Sequence, residues 1–399
     1  LHRPAEAEEQ FRLAMKHIDR MTDREKYRTR GAYFIVIGNH PKAIEELTQL
    51  TARYPADISG QTNLALSYFY TRKMGLALEA ARRAIGIYPN NLVMKGNLAL
   101  FAVYASDFKT ALKTAGDFLK TESCHWDICL ALAISQLAEG HAPEAAQTYR
   151  KLENIAAPGP SLASSGLADI ALYEGRLTEA VEILKKGIVA DRAEKSAAAA
   201  ARKSMALASA LLDLGQKNPA MAEADKIVAQ SSDASVLYEA AGIYIAAGRK
   251  EKALEIASGL GKSMREESRM YGSLIEGQVQ LGEGKTWEAI RLFHEAQKLT
   301  DAWLARYELG RAYLEAAAYT EAYSEFEQCL KRRGEAAAVF LDDIPSYRYL
   351  PPVYYYMGRA QQGLGSPAAA ESYRTFVAIK EKGGQDPLLK DARRRLAGF

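Results

Sequence analysis

Ala43, Ala77, Ala111 and Ala145 stand 34 residues apart, and each opens an amphipathic helical segment. A unit of that length cannot bury its own apolar face, so such a chain stacks its units instead of wrapping one core. The ladder continues at Ala180, Ala220, Ala253, Ala289 and Ala322, in steps of 35, 40, 33, 36 and 33, and resumes near Ala369 after a step of 47. Loop insertions absorb the excess. Twelve residues before each anchor from Ala43 to Ala322 sits a small residue: Gly31, Ala65, Ala99, Ala133, Ala168, Ala208, Ala241, Gly277 and Gly310.

These positions are small because the two helices of each hairpin cross there, and closely spaced axes leave no room for a longer side chain. Bulk returns four and seven residues past the anchor, at Leu47/Leu50, Tyr149/Leu152, Phe293/Ala296, Phe326/Cys329 and Tyr373/Phe376. That spacing points one stripe at the next unit. Glycine falls five before the anchor at Gly38, Gly140, Gly175, Gly215, Gly248 and Gly284, where the chain leaves the first helix through a left-handed residue. Pro55 and Pro89 stop second helices. A helical hairpin of 34 residues is the period of the tetratricopeptide repeat. The expected fold is therefore all-α, a superhelical solenoid of antiparallel hairpins with about 22 helices.

At the start, Ala7, Phe11 and Ala14 reproduce the pattern of a second helix without its first, and the chain opens on Leu1. It is expected to be a piece of a longer protein. The division that follows is a partial repeat over 1–22, nine repeats over 23–330, a Tyr/Pro-rich insertion over 331–352, a last repeat over 353–382 and a capping helix over 383–399. Ala193 to Lys203 reads as an Ala-rich extension of a helix. In the insertion, Val339, Phe340, Leu341, Ile344, Tyr347, Tyr349 and Leu350 are too apolar to stay in water. The segment should dock along the C-terminal groove, with Ala336 to Leu341 extending a helix, Pro351-Pro352 enforcing a turn, and Asp342-Asp343 near Arg311 or Arg359.

Composition narrows the function. With 52 Lys+Arg against 49 Asp+Glu the formal charge is +3, too small to imply a nucleic acid or an anionic membrane surface. The longest charge-free stretch, Asn154 to Ala168, is interrupted by Pro158, Gly159 and Pro160 and is too short to span a bilayer. Cys124, Cys129 and Cys329 are too few for a disulfide framework, although one bridge stays open. Packing is the expected role of Cys129, because Cys124, His125 and Cys129 lack a fourth zinc ligand. His294-Glu295 is followed by Lys298 where a zinc-protease helix would have its second His. Gly259-Leu260-Gly261-Lys262-Ser263 and Gly282-Glu283-Gly284-Lys285-Thr286 imitate a phosphate loop, but Ile256 and Val279 occupy the leading glycine position. No catalytic, metal or cofactor residue is expected.

DREKYRTRGAYFIVIGNHPKAIEEL near the start and CLKRRGEAAAVFLDDIPSYRYLPPVYYYMGRAQQGLG near the end resemble the C-terminal tetratricopeptide region of bacterial, eukaryotic-like serine/threonine protein kinases. The resemblance implies a sensory or interaction arm whose kinase domain is outside this chain, placed in the cytoplasm or on the outer side of a membrane-anchored parent. The kinase motifs themselves are missing: His2-Arg3 is followed by Pro4, and Asp107-Phe108 by Lys109. The expected function is recognition of a protein or peptide, with a small-molecule-sensing solenoid or a cell-envelope assembly scaffold as the alternatives.

In a tetratricopeptide superhelix, residues two or three before the crossing residue, and one after it, face the ligand. That rule selects Arg28, Asn63 and Asn97 near the N-terminus, and Tyr307, Arg311, Tyr355 and Arg359 near the C-terminus. The asparagines suit an extended peptide backbone, and the Tyr and Arg pairs suit an acidic or carboxylate-bearing segment. Leu66, Leu100, Leu130, Ile134, Ile245, Leu274 and Leu281 are expected to bury against neighbouring helices.

Overall fold

The computed structural model describes residues 4–384 and 386–399. Among the described residues the chain is helical throughout, with 22 α-helices, three short 3-10 turns and no strand, and its hairpins form a tetratricopeptide-like solenoid. Contacts divide it into two compact units, residues 1–135 and 136–399, with the boundary inside one helix.

The first unit holds α1 (Pro4–Lys16), α2 (Asp23–Val36), α3 (His40–Arg53), α4 (Ile58–Tyr70), α5 (Met74–Ile87), α6 (Leu92–Tyr104), α7 (Phe108–Phe118) and the start of α8 (Trp126–Ala138). Capping begins its helices. Thr22 and Glu25 form a reciprocal capping box on α2, while Asn39, Asp57, Asn91 and Asp107 accept N–H groups of α3, α4, α6 and α7. Ala43, Leu47, Leu50 and Leu64 are the buried seam between the first hairpins. Cys124 and Cys129 are joined by a disulfide across the start of α8, so Cys129 is both buried and bridged.

The second unit continues with α9 (Ala142–Leu152), α10 (Gly159–Tyr173), α11 (Leu177–Ala193), α12 (Ala197–Asp213), α13 (Lys217–Val228), α14 (Ala234–Ala246) and α15 (Lys250–Gly261). After these come α16 (Glu266–Gly282), α17 (Thr286–Leu299), α18 (Trp303–Glu315), α19 (Tyr319–Lys331), α20 (Pro351–Gly363), α21 (Ala369–Lys380) and α22 (Pro387–Leu396). From α9 onward each helix packs on the next, and α10, α12, α14, α16, α18, α20 and α22 also touch in that order. They form one layer, with the odd-numbered helices behind it.

The crossing residues are small for the reason the ladder implies. A methyl group at Gly31, Gly277 or Gly310 would lie 2.6, 2.3 or 2.6 Å from Leu47, Phe293 or Phe326, the bulky residue four past the anchor. The turn glycines from Gly38 to Gly284 have φ between +73° and +86°. In repeats without one, Arg72, Ser106 and Ala317 take the same left-handed conformation, with φ of 58°, 63° and 56°. The turn geometry thus belongs to the repeat and is imposed even on residues that carry a Cβ.

Three local features differ from the regular pattern or from expectation. Ala193 to Lys203 is not one extended helix: α11 ends at Ala193, Lys195 turns left-handed, and the alanines begin α12. The last hairpin has a turn one residue shorter, so Gly365 lies four before Ala369, and the crossing residue is Gly358, whose Cβ would meet Tyr373 at 2.8 Å. Residues Arg333–Ala338 form a 3-10 turn instead of extending α19, and Pro351-Pro352 begin α20 instead of preceding it. Proline suits that place because the first turn of a helix has no use for its missing N–H.

Candidate functional site

The insertion between α19 and α20 lies within the second unit, and most of it is buried. Val339, Tyr347 and Leu350 are each 1% exposed. The loop braces itself first: the Ser346 hydroxyl donates to the Ala336 carbonyl at 2.8 Å and accepts the Val339 N–H at 3.0 Å. It then docks on α10, α12 and α14. The Asp169 carboxylate of α10 accepts the Tyr347 and Arg348 N–H groups, at 2.8 and 3.1 Å, and the Arg348 guanidinium at 3.3 Å. Arg348 also reaches Glu239 of α14 at 3.2 Å, and the Tyr349 hydroxyl donates to the same Glu239 oxygen at 2.8 Å. Phe340 packs near the rings of Tyr238 and Tyr271, beneath the Arg202 guanidinium of α12.

The insertion docks, as its apolar content requires, but on α10, α12 and α14 and not along the C-terminal groove, and its charged partner also differs from expectation. Asp342 pairs with Arg202 at 3.0 Å, not with Arg311 or Arg359. Those two are already matched, Arg311 by the buried Glu308 at 2.8 Å and Arg359 by Glu315 at 3.2 Å. A second aspartate near either would find no surplus positive charge.

Burial sets the electrostatics here. It pushes the Asp169 carboxyl up, against the opposing pull of Arg348 and the two N–H groups. It also pushes Asp342 up to about 6, with Arg202 opposing and Glu239 and Asp343 adding to the rise. Behind the wall, Lys203 pairs with Asp191 and donates to Ser161 at 2.8 Å, and burial lowers its pKa.

The same layer carries a polar chain toward the C-terminus. The Gln278 amide donates to the Tyr238 hydroxyl at 3.0 Å and to Glu308 at 2.9 Å, and Arg311 closes the chain on Glu308. Arg311 lies over the rings of Tyr307 and Tyr356, so the sequence rule brought Tyr307 and Arg311 together. Tyr355 and Arg359 do not join them. Tyr355 is buried against Tyr373 and Phe376 and donates to Asp391 of α22 at 2.7 Å. The unit closes nearby. Lys380 donates to the Leu172 carbonyl at 2.9 Å, and a methyl on Gly383 would stand 2.9 Å from the Gly175 carbonyl.

In the first unit, Arg28 joins Arg24 on the buried Asp57, at 2.5 and 2.8 Å, an N-cap network rather than a free guanidinium. Burial raises the Asp57 pKa, but the Gly60 N–H and the two arginines together hold the carboxyl below its ordinary value. Asn63 and Asn97 sit half-buried on α4 and α6, and neither side chain makes a hydrogen bond among the described residues. Leu100, Leu130, Ile134 and Leu274 are buried, while Leu66, Ile245 and Leu281 keep partial exposure.

Asp169 and Glu239 were not singled out from the sequence, although the register rule covers both. Asp169 is one past the crossing Ala168, and Glu239 is two before Ala241, the position held by Asn63 and Asn97 in their own repeats. The signal was present; their ligand is another part of the same chain. In the phosphate-loop imitations, Gly259 to Gly261 close α15, and Lys285 is held by Glu283 at 2.7 Å. His294 is engaged with the Tyr313 hydroxyl at 2.8 Å. No helix among the described residues is long and apolar enough to cross a membrane.

The family comparison agrees with the architecture of the first hairpins. A family profile described as tetratricopeptide repeat matches residues 29–91, the hairpins from α2 to α5. Among solved structures, a tetratricopeptide repeat protein from Parabacteroides merdae is 18% identical, with 65% of this chain and 99% of that one covered and a TM-score of 0.47. The human IFIT1 dimer with m7Gppp-AAAA is 17% identical, with 89% and 85% covered and a TM-score of 0.46. The P58(IPK) TPR domain is 14% identical, with 94% and 99% covered and a TM-score of 0.27. A search of curated proteins found no match.

Proposed function

We propose that this chain is a protein- or peptide-binding tetratricopeptide scaffold that works by recognition and not by catalysis, and that its open site lies in the first unit. One observation carries the reading: Asn63 and Asn97, one repeat apart on inner helices, have side-chain amides with no hydrogen bond among the described residues. In the second unit Glu239, at the equivalent position, and Asp169, one past its crossing residue, are occupied by the chain's own insertion. An amide offers both a donor and an acceptor, which matches a peptide backbone without demanding a charge. The ligand is thus an extended peptide segment. Its acidic character has lost support, because Arg28, Arg311 and Arg359 are all matched by carboxylates of this chain. The small formal charge favours protein over nucleic acid as partner.

Selection of peptides on the whole chain, followed by the Asn63→Ala/Asn97→Ala pair, tests this site. The double variant is expected to lose affinity by about tenfold or more, since each lost amide costs roughly a kcal/mol, while its unfolding stays unchanged. Undiminished binding would remove the two amides from the site.

We further propose that the scaffold is the interaction arm of a bacterial serine/threonine kinase, supported by the likeness of its first and last segments to that family. The gene sequence preceding Leu1 tests it: a His-Arg-Asp catalytic loop there supports the link, and a lipoprotein signal would favour an envelope scaffold instead.

A further inference from the structure

The joint between the insertion and its wall has an unbalanced charge. Three carboxylates converge on it, with side chains 2% exposed for Asp169, 7% for Glu239 and 24% for Asp342. Among the described residues, two guanidiniums face them, Arg202 at 10% and Arg348 at 14%. Lys203 adds nothing, because Asp191 neutralises it. Asp233 at the start of α14 also pairs with Arg202, at 3.2 Å, but is half exposed to solvent, and Asp343 is exposed. No histidine lines the joint among the described residues.

A small cavity of about 20 Å³ remains there, bordered by Asp342, Glu239, Arg202 and Ser165. One Glu239 oxygen is buried without a hydrogen-bond partner, and the Asp342 oxygens are buried with only the Arg202 contact and the Ile344 N–H to support their charge. A buried carboxylate beyond what the local cations can match is neutralised more cheaply than it is solvated.

We propose that the insertion is a proton-operated latch: it seats on α10, α12 and α14 with one proton held on the Asp342 carboxyl where it faces Glu239, so acid tightens the seat and alkali loosens it. Released from the wall, Asp342 returns to water and gives up that proton at neutral pH. The sign follows from linkage: a carboxyl whose pKa is higher when docked binds more protons in the docked state, so docking is favoured as pH falls. With Asp342 near 6 when docked and close to the ordinary aspartate value when released, the docking constant grows about tenfold from pH 8 to pH 5. Burial shifts Asp169 in the same direction.

Amide exchange of residues 339–350 in the whole chain, corrected for intrinsic rates, reads this directly. Protection is expected to rise about tenfold between pH 8 and pH 5, and Asp342→Asn should remove most of that slope, leaving what Asp169 contributes, while keeping protection at pH 8 at least as high as in the parent. Asp343→Asn, a change at the exposed neighbour, should leave the slope in place. A slope undiminished by Asp342→Asn, or protection that falls with acid, rejects the latch. Protection that ignores pH and follows added sodium or magnesium rejects it too, since a cation would then supply the missing charge. Should Asp342→Asn fail to fold, the carboxyl carbon of Asp342 in the parent protein decides by its own titration: a midpoint near 6 is expected, and one near 4 overturns the proposal.

Discussion

Replacing Arg348 with methionine keeps the length and apolar stem of the side chain but removes the cation between Asp169 and Glu239. Both carboxylates are then left buried without it, and breaking a buried pair from one side costs about 3–5 kcal/mol. Arg348 contacts them at 3.3 and 3.2 Å and is itself only 14% exposed, so solvent does little to soften the loss. A surface pair offers the comparison: Lys331 and Glu327, 61% and 38% exposed, lie on one helix face, and Lys331→Met should cost no more than about 0.5 kcal/mol. Repeat arrays open segment by segment, so a single global midpoint is a poor readout. Protection of the Tyr347 amide, which Asp169 accepts at 2.8 Å, is the better one. Arg348→Met should lower it by between about a hundredfold and a few thousandfold, and adding Glu239→Gln should restore part of the loss. A drop of less than tenfold, similar to that of Lys331→Met, would show that the guanidinium does not hold the insertion in place.

Two further outcomes test the register and the acid response of the first unit. Gly277→Ala places a methyl 2.3 Å from Phe293 and should cost roughly 1–3 kcal/mol in urea unfolding, whereas Gly282→Ala in the same helix meets nothing within 4 Å and should be neutral or slightly stabilising; equal effects would contradict the crossing geometry. Asp57 is held below its ordinary value, the opposite of Asp342, so the stability it gives is complete above about pH 4 and is lost as the pH falls below it. Far-UV circular dichroism of Asp57→Asn should show a smaller acid-induced loss of helix than the parent, and an unchanged acid transition would dismiss the Arg24–Asp57–Arg28 network as its source.

The hairpins were legible because their determinants are local. A small residue twelve before each anchor, bulk four after it and glycine five before it act through contacts within one helix pair, and periodicity records such contacts directly. Even the repeats that lack the glycine obey, since Arg72, Ser106 and Ala317 turn left-handed with the others. The register also marked which positions face inward, including Asp169 and Glu239, without saying what would meet them. That depended on a segment 178 residues farther along the chain than Asp169. The apolar content of residues 339–350 made docking obligatory, but hydrophobic burial is non-directional and names no partner. The choice fell to the balance of charges in the folded wall. Glu308 had already neutralised Arg311 and Glu315 had matched Arg359, while Asp169 and Glu239 lacked a cation that Arg348 could supply. Such a balance exists only once distant helices stand side by side, because in the extended chain every one of these groups is separately solvated.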